Sequence, residues 1–174
     1  PRVKEIAQDY SPSHPLAQAL WKENIRECKI MAGLLQPTES FYPEIADIWI
    51  EGMTYPEIAE YTVMNLFQRL PYASEAAFRW MADDREYFLL CGFLLITRLL
   101  MKGQGLNERA EAEFLDQAVT ALESEYPTVK RAALKALQKY ASLPGQNRTK
   151  VQKVVKSIAR DEKPELKCLL DEIG

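Results

Sequence analysis

The chain is 174 residues long, 47% hydrophobic and 27% charged, with a net charge of −3. That is enough for one domain with a substantial core, and it excludes a disordered, collagen-like or disulfide-scaffold chain. Cys28, Cys91 and Cys168 stand far apart, with no Cys-x-x-Cys and a single histidine, His14, so metal-ligand and nucleophile spacings are excluded and the cysteines read as buried free thiols of a cytoplasmic protein.

Apolar residues then recur at helical spacing along the whole chain. Val3, Ile6, Ala7 and Tyr10 give a short first stripe. Ser13 or His14 precedes Pro15, which suits a first helical position before Leu16, Ala19 and Leu20. Asn24, with Glu27 three residues on, predicts the capped start of a helix over 25–35. The next helix, over 43–51, stops at Gly52. Another opens at Thr54 to Pro56 and runs to Pro71, with Ile58, Tyr61, Thr62, Leu66 and Arg69 marking its turns. A short helix over 74–81 bears Phe78 and Trp80.

Asp83 or Asp84 is expected to cap a helix over 85–102, which is apolar nearly all round and therefore the most buried. Gly103 and Gly105 end it. Asn107 caps a helix reaching to about 125. Over 127–140, Val129, Ala132, Ala133, Ala136, Leu137 and Tyr140 share one face, and Lys130, Arg131, Lys135 and Lys139 fall largely opposite. After a turn at 143–147 come a helix with Val151, Val154, Val155 and Ile158, and a last short one over 164–173 with Leu166, Leu169, Leu170 and Ile173. Alternating strand patterns are absent. The longest apolar run, 87–97, is too short to span a bilayer, so no membrane partner is expected. No phosphate-cradling glycine loop, His-Glu-x-x-His or Ser/His/Asp set occurs, and no cofactor or metal is implied.

The alanines of 127–140 let a neighbouring helix approach closely. Its Pro-x-Val-x-x-Ala-Ala-x-x-Ala-Leu resembles the second helix of a HEAT-type repeat. Comparable openings at Ile25, Ile58, Arg85 and Leu166 are spaced irregularly around the roughly 40-residue period of such repeats. The predicted fold is all-α, an α-solenoid of HEAT-like antiparallel helix pairs in a single domain over 1–174.

Charge is unevenly spread. Residues 127–174 hold 11 Lys and Arg against 5 Asp and Glu, and residues 1–126 hold 11 against 20. A basic third on an acidic body marks a candidate polyanion-binding face. A merely solvated helix surface is the other reading. Trp21, Trp49 and Trp80 read as core aromatics rather than base-stacking platforms.

Several stretches together resemble the DNA alkylation repair family, the HEAT-like alkylpurine DNA glycosylases. They are Val3-Lys4-Glu5-Ile6-Ala7, Leu16-Ala17-Gln18-Ala19-Leu20-Trp21, Arg26-Glu27-Cys28-Lys29-Ile30-Met31-Ala32, Trp80, Glu86-Tyr87, Gly92-Phe93 and Val129-Lys130-Arg131-Ala132. The resemblance spans nearly the whole chain and implies a member lacking the family's first helices. It implies a basic groove holding duplex DNA, alkylated or not, and a carboxylate that helps expel a cationic base, with Trp and Arg alongside.

The positions that would carry this chemistry are substituted. Tyr55 stands where the family has Trp, and Ala59 where it has Asp. Leu89 and Leu90 replace an Arg pair, Lys135 a Trp and Gln138 an Arg. The resemblance therefore implies a divergent member whose excision of alkylated purines is lost or changed, and which acts as an alkylpurine DNA glycosylase only if its chemistry survives. The carboxylate candidates left are Glu57 and Glu60, which also read as first-turn residues favoured by the helix dipole. Tyr55 is the candidate for base stacking. Lys130, Arg131, Lys135 and Lys139 are the candidates for nucleic-acid contact. A protein–protein interaction scaffold is the alternative function, because HEAT-type stacks bind partners along one face.

Overall fold

The structure, a computed structural model, describes residues 2–159; the helix expected over 164–173, and Cys168, lie outside the described residues. Ten α-helices are described: α1 Arg2–Ala7, α2 His14–Lys22, α3 Arg26–Leu35, α4 Pro43–Glu51, α5 Pro56–Asn65, α6 Ala73–Met81, α7 Glu86–Met101, α8 Glu108–Leu122, α9 Pro127–Ser142 and α10 Asn147–Ala159. No strand occurs among the described residues.

The helices form two rows. In one, α1 packs on α3, α3 on α5, α5 on α7 and α7 on α9; in the other, α6 touches α8 and α8 touches α10. Short connections fold α2 back on α3, α6 on α7 and α8 on α9, as antiparallel helix pairs require. Side-chain bonds fix the direction of the odd-numbered row. Arg26 at the start of α3 pairs with Glu57 at the start of α5, and the Thr128 hydroxyl at the start of α9 donates to Glu86 at the start of α7 over 2.9 Å. The starts of these neighbours therefore lie along one edge, and their ends along the other.

α7 is the most buried helix, as its sequence requires. Phe88, Leu90, Cys91, Phe93, Leu95, Ile96, Leu99 and Leu100 are all buried, and it packs against α4, α5, α6 and α9. Its contact with α6 depends on Gly92. A Cβ there would lie 2.7 Å from the Met81 nitrogen and 3.1 Å from the Trp80 carbonyl carbon. The helix ends in a Schellman motif. Gly103 takes φ +83°, its N–H bonds the Leu100 carbonyl, and the Gln104 N–H bonds the Leu99 carbonyl.

The tryptophans belong to the core. Trp21 stacks on Trp49 with ring centroids 4.2 Å apart, and Phe41 meets Trp49 edge-on at 4.8 Å. The indole N–H groups of the two fully buried tryptophans, Trp49 and Trp80, find acceptors. That of Trp49 donates to Gln18 Oε1 over 3.2 Å, and that of Trp80 to Asp47 Oδ1 over 2.9 Å.

Several expected caps are corrected. Asn107 does accept the third following N–H, as predicted, and Ser13, one of the two residues offered ahead of Pro15, does the same for α2. Asn24 does not cap α3; the cap position is Ile25, without a side-chain bond. Gly52 does end α4, but as its C-cap in the right-handed region, φ −85°, and not one position further on as C′. α5 ends at Asn65 and a short 3-10 turn, Phe67–Arg69, follows. The Gln68 and Arg69 side chains bond the Met64 and Asn65 carbonyls that the helix leaves free. Asp83 lies two residues ahead of the α7 cap, Arg85. Its carboxylate is taken up by the N–H groups of Asp84 and Arg85 and by the Arg85 guanidinium.

Those bonds to Arg85 hold the Asp83 carboxyl down at about 2, from an ordinary value of 3.8. Because the folded value is depressed, the stabilisation is complete above the unfolded pKa and is lost as pH falls through the folded one. Asp83→Asn should therefore flatten the loss of stability between about pH 4 and pH 2, measured by urea melts at stepped pH. An unchanged pH profile would contradict this.

Candidate nucleic-acid interface

Among the described residues, depressions of two kinds open on the solvent side of the odd-numbered row. One, of about 300 Å³, is lined by Glu60 and Val63 of α5, Leu94, Thr97, Arg98 and Met101 of α7, and Ala132 and Lys135 of α9. Local helix geometry explains this lining. Leu94, Thr97, Arg98 and Met101 stand at i, i+3, i+4 and i+7, a stripe along the second half of α7 that its neighbours leave partly uncovered. On α9 the small Ala132 lets the neighbouring helix come close, and Lys135, three residues on, projects beside it.

Arg131 and Lys135 are exposed, and Lys139 is half-buried. They stand one turn apart on a single stripe, because four residues turn a helix by only about 40° beyond a full revolution. Lys130 is half-buried and lies about 100° round the helix from Arg131, off that stripe. Among the described residues, Arg98, Arg131, Lys135 and Lys139 enter no ion pair. Lys150, also basic in sequence, is committed elsewhere. It donates to Glu111 of α8 over 2.7 Å, and the Tyr140 hydroxyl donates to the same carboxylate.

The two carboxylate candidates have different surroundings. Glu57 is held bidentately by Arg26, with N···O distances of 3.0 and 2.5 Å. The Arg26 guanidinium keeps its carboxyl below the usual range, so it stays ionised and occupied. Glu60 is exposed, lines the groove with Arg98 and Lys135, and has no ion-pair partner among the described residues. Ala59, matched to the family's acid, is fully buried. Leu90 is buried, and Leu89 lines a different depression with residues of α8. Neither reaches the Glu60 groove.

Tyr55 caps α5 by backbone position alone and is 65% exposed. It stands near Tyr87, whose hydroxyl pKa is raised by burial first and then by Glu86, Cys91 and Tyr55. Tyr55 does not line the groove that holds Glu60. The residue that sequence reasoning missed is Arg98. Its signal was present: it is the one charged side chain between Glu86 and Lys102 in a helix otherwise apolar all round.

With this geometry in view, comparison with solved structures is informative. One solved protein matches 90% of this chain, and 68% of its own, at a TM-score of 0.79 and 18% identity. It is described as one of a new family of proteins related to the HEAT-like repeat DNA glycosylases, with affinity for branched DNA structures. The fold is HEAT-like. No protein-family model matches the sequence, and no curated protein does. The relation read from short motifs is thus matched at the level of fold, by a structure with little sequence in common. No described helix is long and apolar enough to cross a membrane.

Proposed function

We propose that this chain binds DNA through the groove side of its odd-numbered helices, holding the phosphate backbone without excising a base. The observation that carries the reading is the set Arg98, Arg131, Lys135 and Lys139. These cations share one side of α7 and α9 and have no acidic partner among the described residues. Cations left unpaired on a groove are suited to phosphate contact, and the counterions released give a steep salt dependence. The similarity to a fold described with affinity for branched DNA adds branched as well as plain duplexes as ligands.

The glycosylase reading has weaker support. Excision of an alkylated purine needs a carboxylate poised at the sugar to stabilise developing positive charge. Glu57 is occupied by Arg26. Glu60 stands on the α5 side of the same open groove as Arg98 and Lys135, where it opposes a phosphate. Under the binding reading, Glu60→Gln removes a like charge and tightens DNA binding by a few-fold. Under the glycosylase reading, the same change abolishes release of the base.

The test is a titration with a duplex and a four-way junction across a salt series, with release of 7-methylguanine and 3-methyladenine followed beside it. Expected are affinities that fall linearly with log salt, a slope of about −3 to −4 for that many phosphate contacts, and no base release. Affinity independent of salt would overturn the proposal. A stable, nuclease-resistant protein partner with no DNA binding would favour the scaffold reading.

A further inference from the structure

The second depression on the solvent side is larger and of different chemistry. It lies over α3, between α1 and α5, and encloses about 490 Å³. Its wall is mostly aliphatic and thioether, from Val3 and Ile6 of α1, Ile30, Met31 and Leu34 of α3 and Met64 of α5, with Tyr61 and Asn65 of α5 completing it. Ile6 is 41% exposed, and Met31, Leu34 and Met64 are all half-buried. The basic groove has no comparable stretch.

The two ends of the depression differ in charge. At the start of α3, Arg26 is neutralised by Glu27 and Glu57 together. Along α1, Arg2 and Lys4 line the rim and pair with no carboxylate among the described residues. The side that α1 provides is therefore apolar inside and positive at the lip.

We infer that this depression is a docking groove for an amphipathic helix of a partner protein, one whose apolar stripe is flanked by acidic residues. An aliphatic, methionine-containing trough between parallel helices accepts a helix through anchors at i, i+3, i+4 and i+7, and thioethers adapt to its side chains. The lip selects its flank. Arg2 and Lys4 attract Asp or Glu and repel Lys or Arg, which sets partner choice more than raw affinity. A nucleic acid fits poorly here, since Glu27 and Glu57 lie at one end and the aromatic ring in the lining, Tyr61, already has the Arg26 guanidinium 5.7 Å from its centroid. The site would let the protein hold a partner while the basic groove, across α5, is free for DNA.

The inference can be tested with the full chain and three synthetic peptides of about 15 residues, four helical turns. The first has Leu at i, i+3, i+4 and i+7 and Glu on the flanks. The second keeps the stripe but carries Lys in place of Glu. The third scrambles the first. Binding is read by fluorescence anisotropy of the labelled peptide.

The acidic amphipathic peptide should bind, and the other two at least about tenfold more weakly. Met64→Glu and the double reversal Arg2→Glu with Lys4→Glu should each cut its affinity by about tenfold or more. All three positions are at least partly exposed, and unchanged circular-dichroism melts confirm that the variants fold. Equal binding of all three peptides would overturn the inference, as would a Met64→Glu variant that binds like the parent. So would self-association in sedimentation that Met64→Glu abolishes, because the occupant would then be a second copy. A loss of DNA binding in the salt titration leaves these outcomes unaffected, so the two readings fail separately.

Discussion

The double reversal Arg131→Glu with Lys135→Glu is expected to weaken binding to duplex and four-way-junction DNA by about two orders of magnitude at moderate salt, and to flatten the log–log salt slope by about 2. Both side chains are exposed, so the fold should survive. The matched control is Lys153→Glu with Lys156→Glu. These exposed lysines lie on α10, in the other row, and the change in net charge is the same. If attraction came only from overall charge, the two variants would weaken alike. If the groove carries the contact, the control should change affinity by no more than a few-fold. Equal loss in both would remove the reason for assigning DNA to this side. Arg98→Gln, within the groove itself, should lower the slope by about 1.

The second large effect is on stability. Gly92→Ala should destabilise the protein by about 1–2 kcal/mol, the balance of overpacking against a gain in helix propensity of up to about 1 kcal/mol. The cost arises because the new methyl meets main chain: the Met81 nitrogen at 2.7 Å and the Trp80 carbonyl carbon at 3.1 Å. Backbone cannot rotate away, so α6 and α7 must separate. Gly33→Ala, in the middle of α3, is the internal comparison. Its methyl would find Asn65 Cβ at 3.9 Å and the Thr62 Cα at 4.0 Å, ordinary contacts. That substitution should stabilise by about 0.5–1 kcal/mol through propensity alone. Urea midpoints of the two variants should therefore move in opposite directions, and a shift of the same sign in both would refute the close-approach argument.

The sequence carried the helices well because their stripes are wide and their breaks are chemical. Prolines at the first turns of α4, α5 and α9 and the left-handed Gly103 after α7 punctuate the chain locally. Caps were harder to read. Asp83 has the right spacing for a capping box, yet Arg85 takes its oxygens; which donor captures a carboxylate depends on where the flanking turn points them. The centrality of α7 was legible because a helix with no polar face has to be surrounded.

The site was legible only in part. Repeating apolar openings said that second helices stack, and Lys130, Arg131, Lys135 and Lys139 stood out together as cations on a small-residue helix. Pairing across helices was not readable. Residues 26 and 57 lie 31 positions apart, and nothing local says that Arg26 will take Glu57 out of play while leaving Glu60 beside Arg98 and Lys135. The amino-acid order by itself determined an all-helical chain, its breaks and its basic last third, because each follows from contacts within a few residues. Tertiary structure alone decided which cations share a groove, which carboxylate is left free and where an apolar trough opens. Those depend on the rotation and spacing of helices from distant segments, and a turn of about 100° per residue moves a side chain from groove to core.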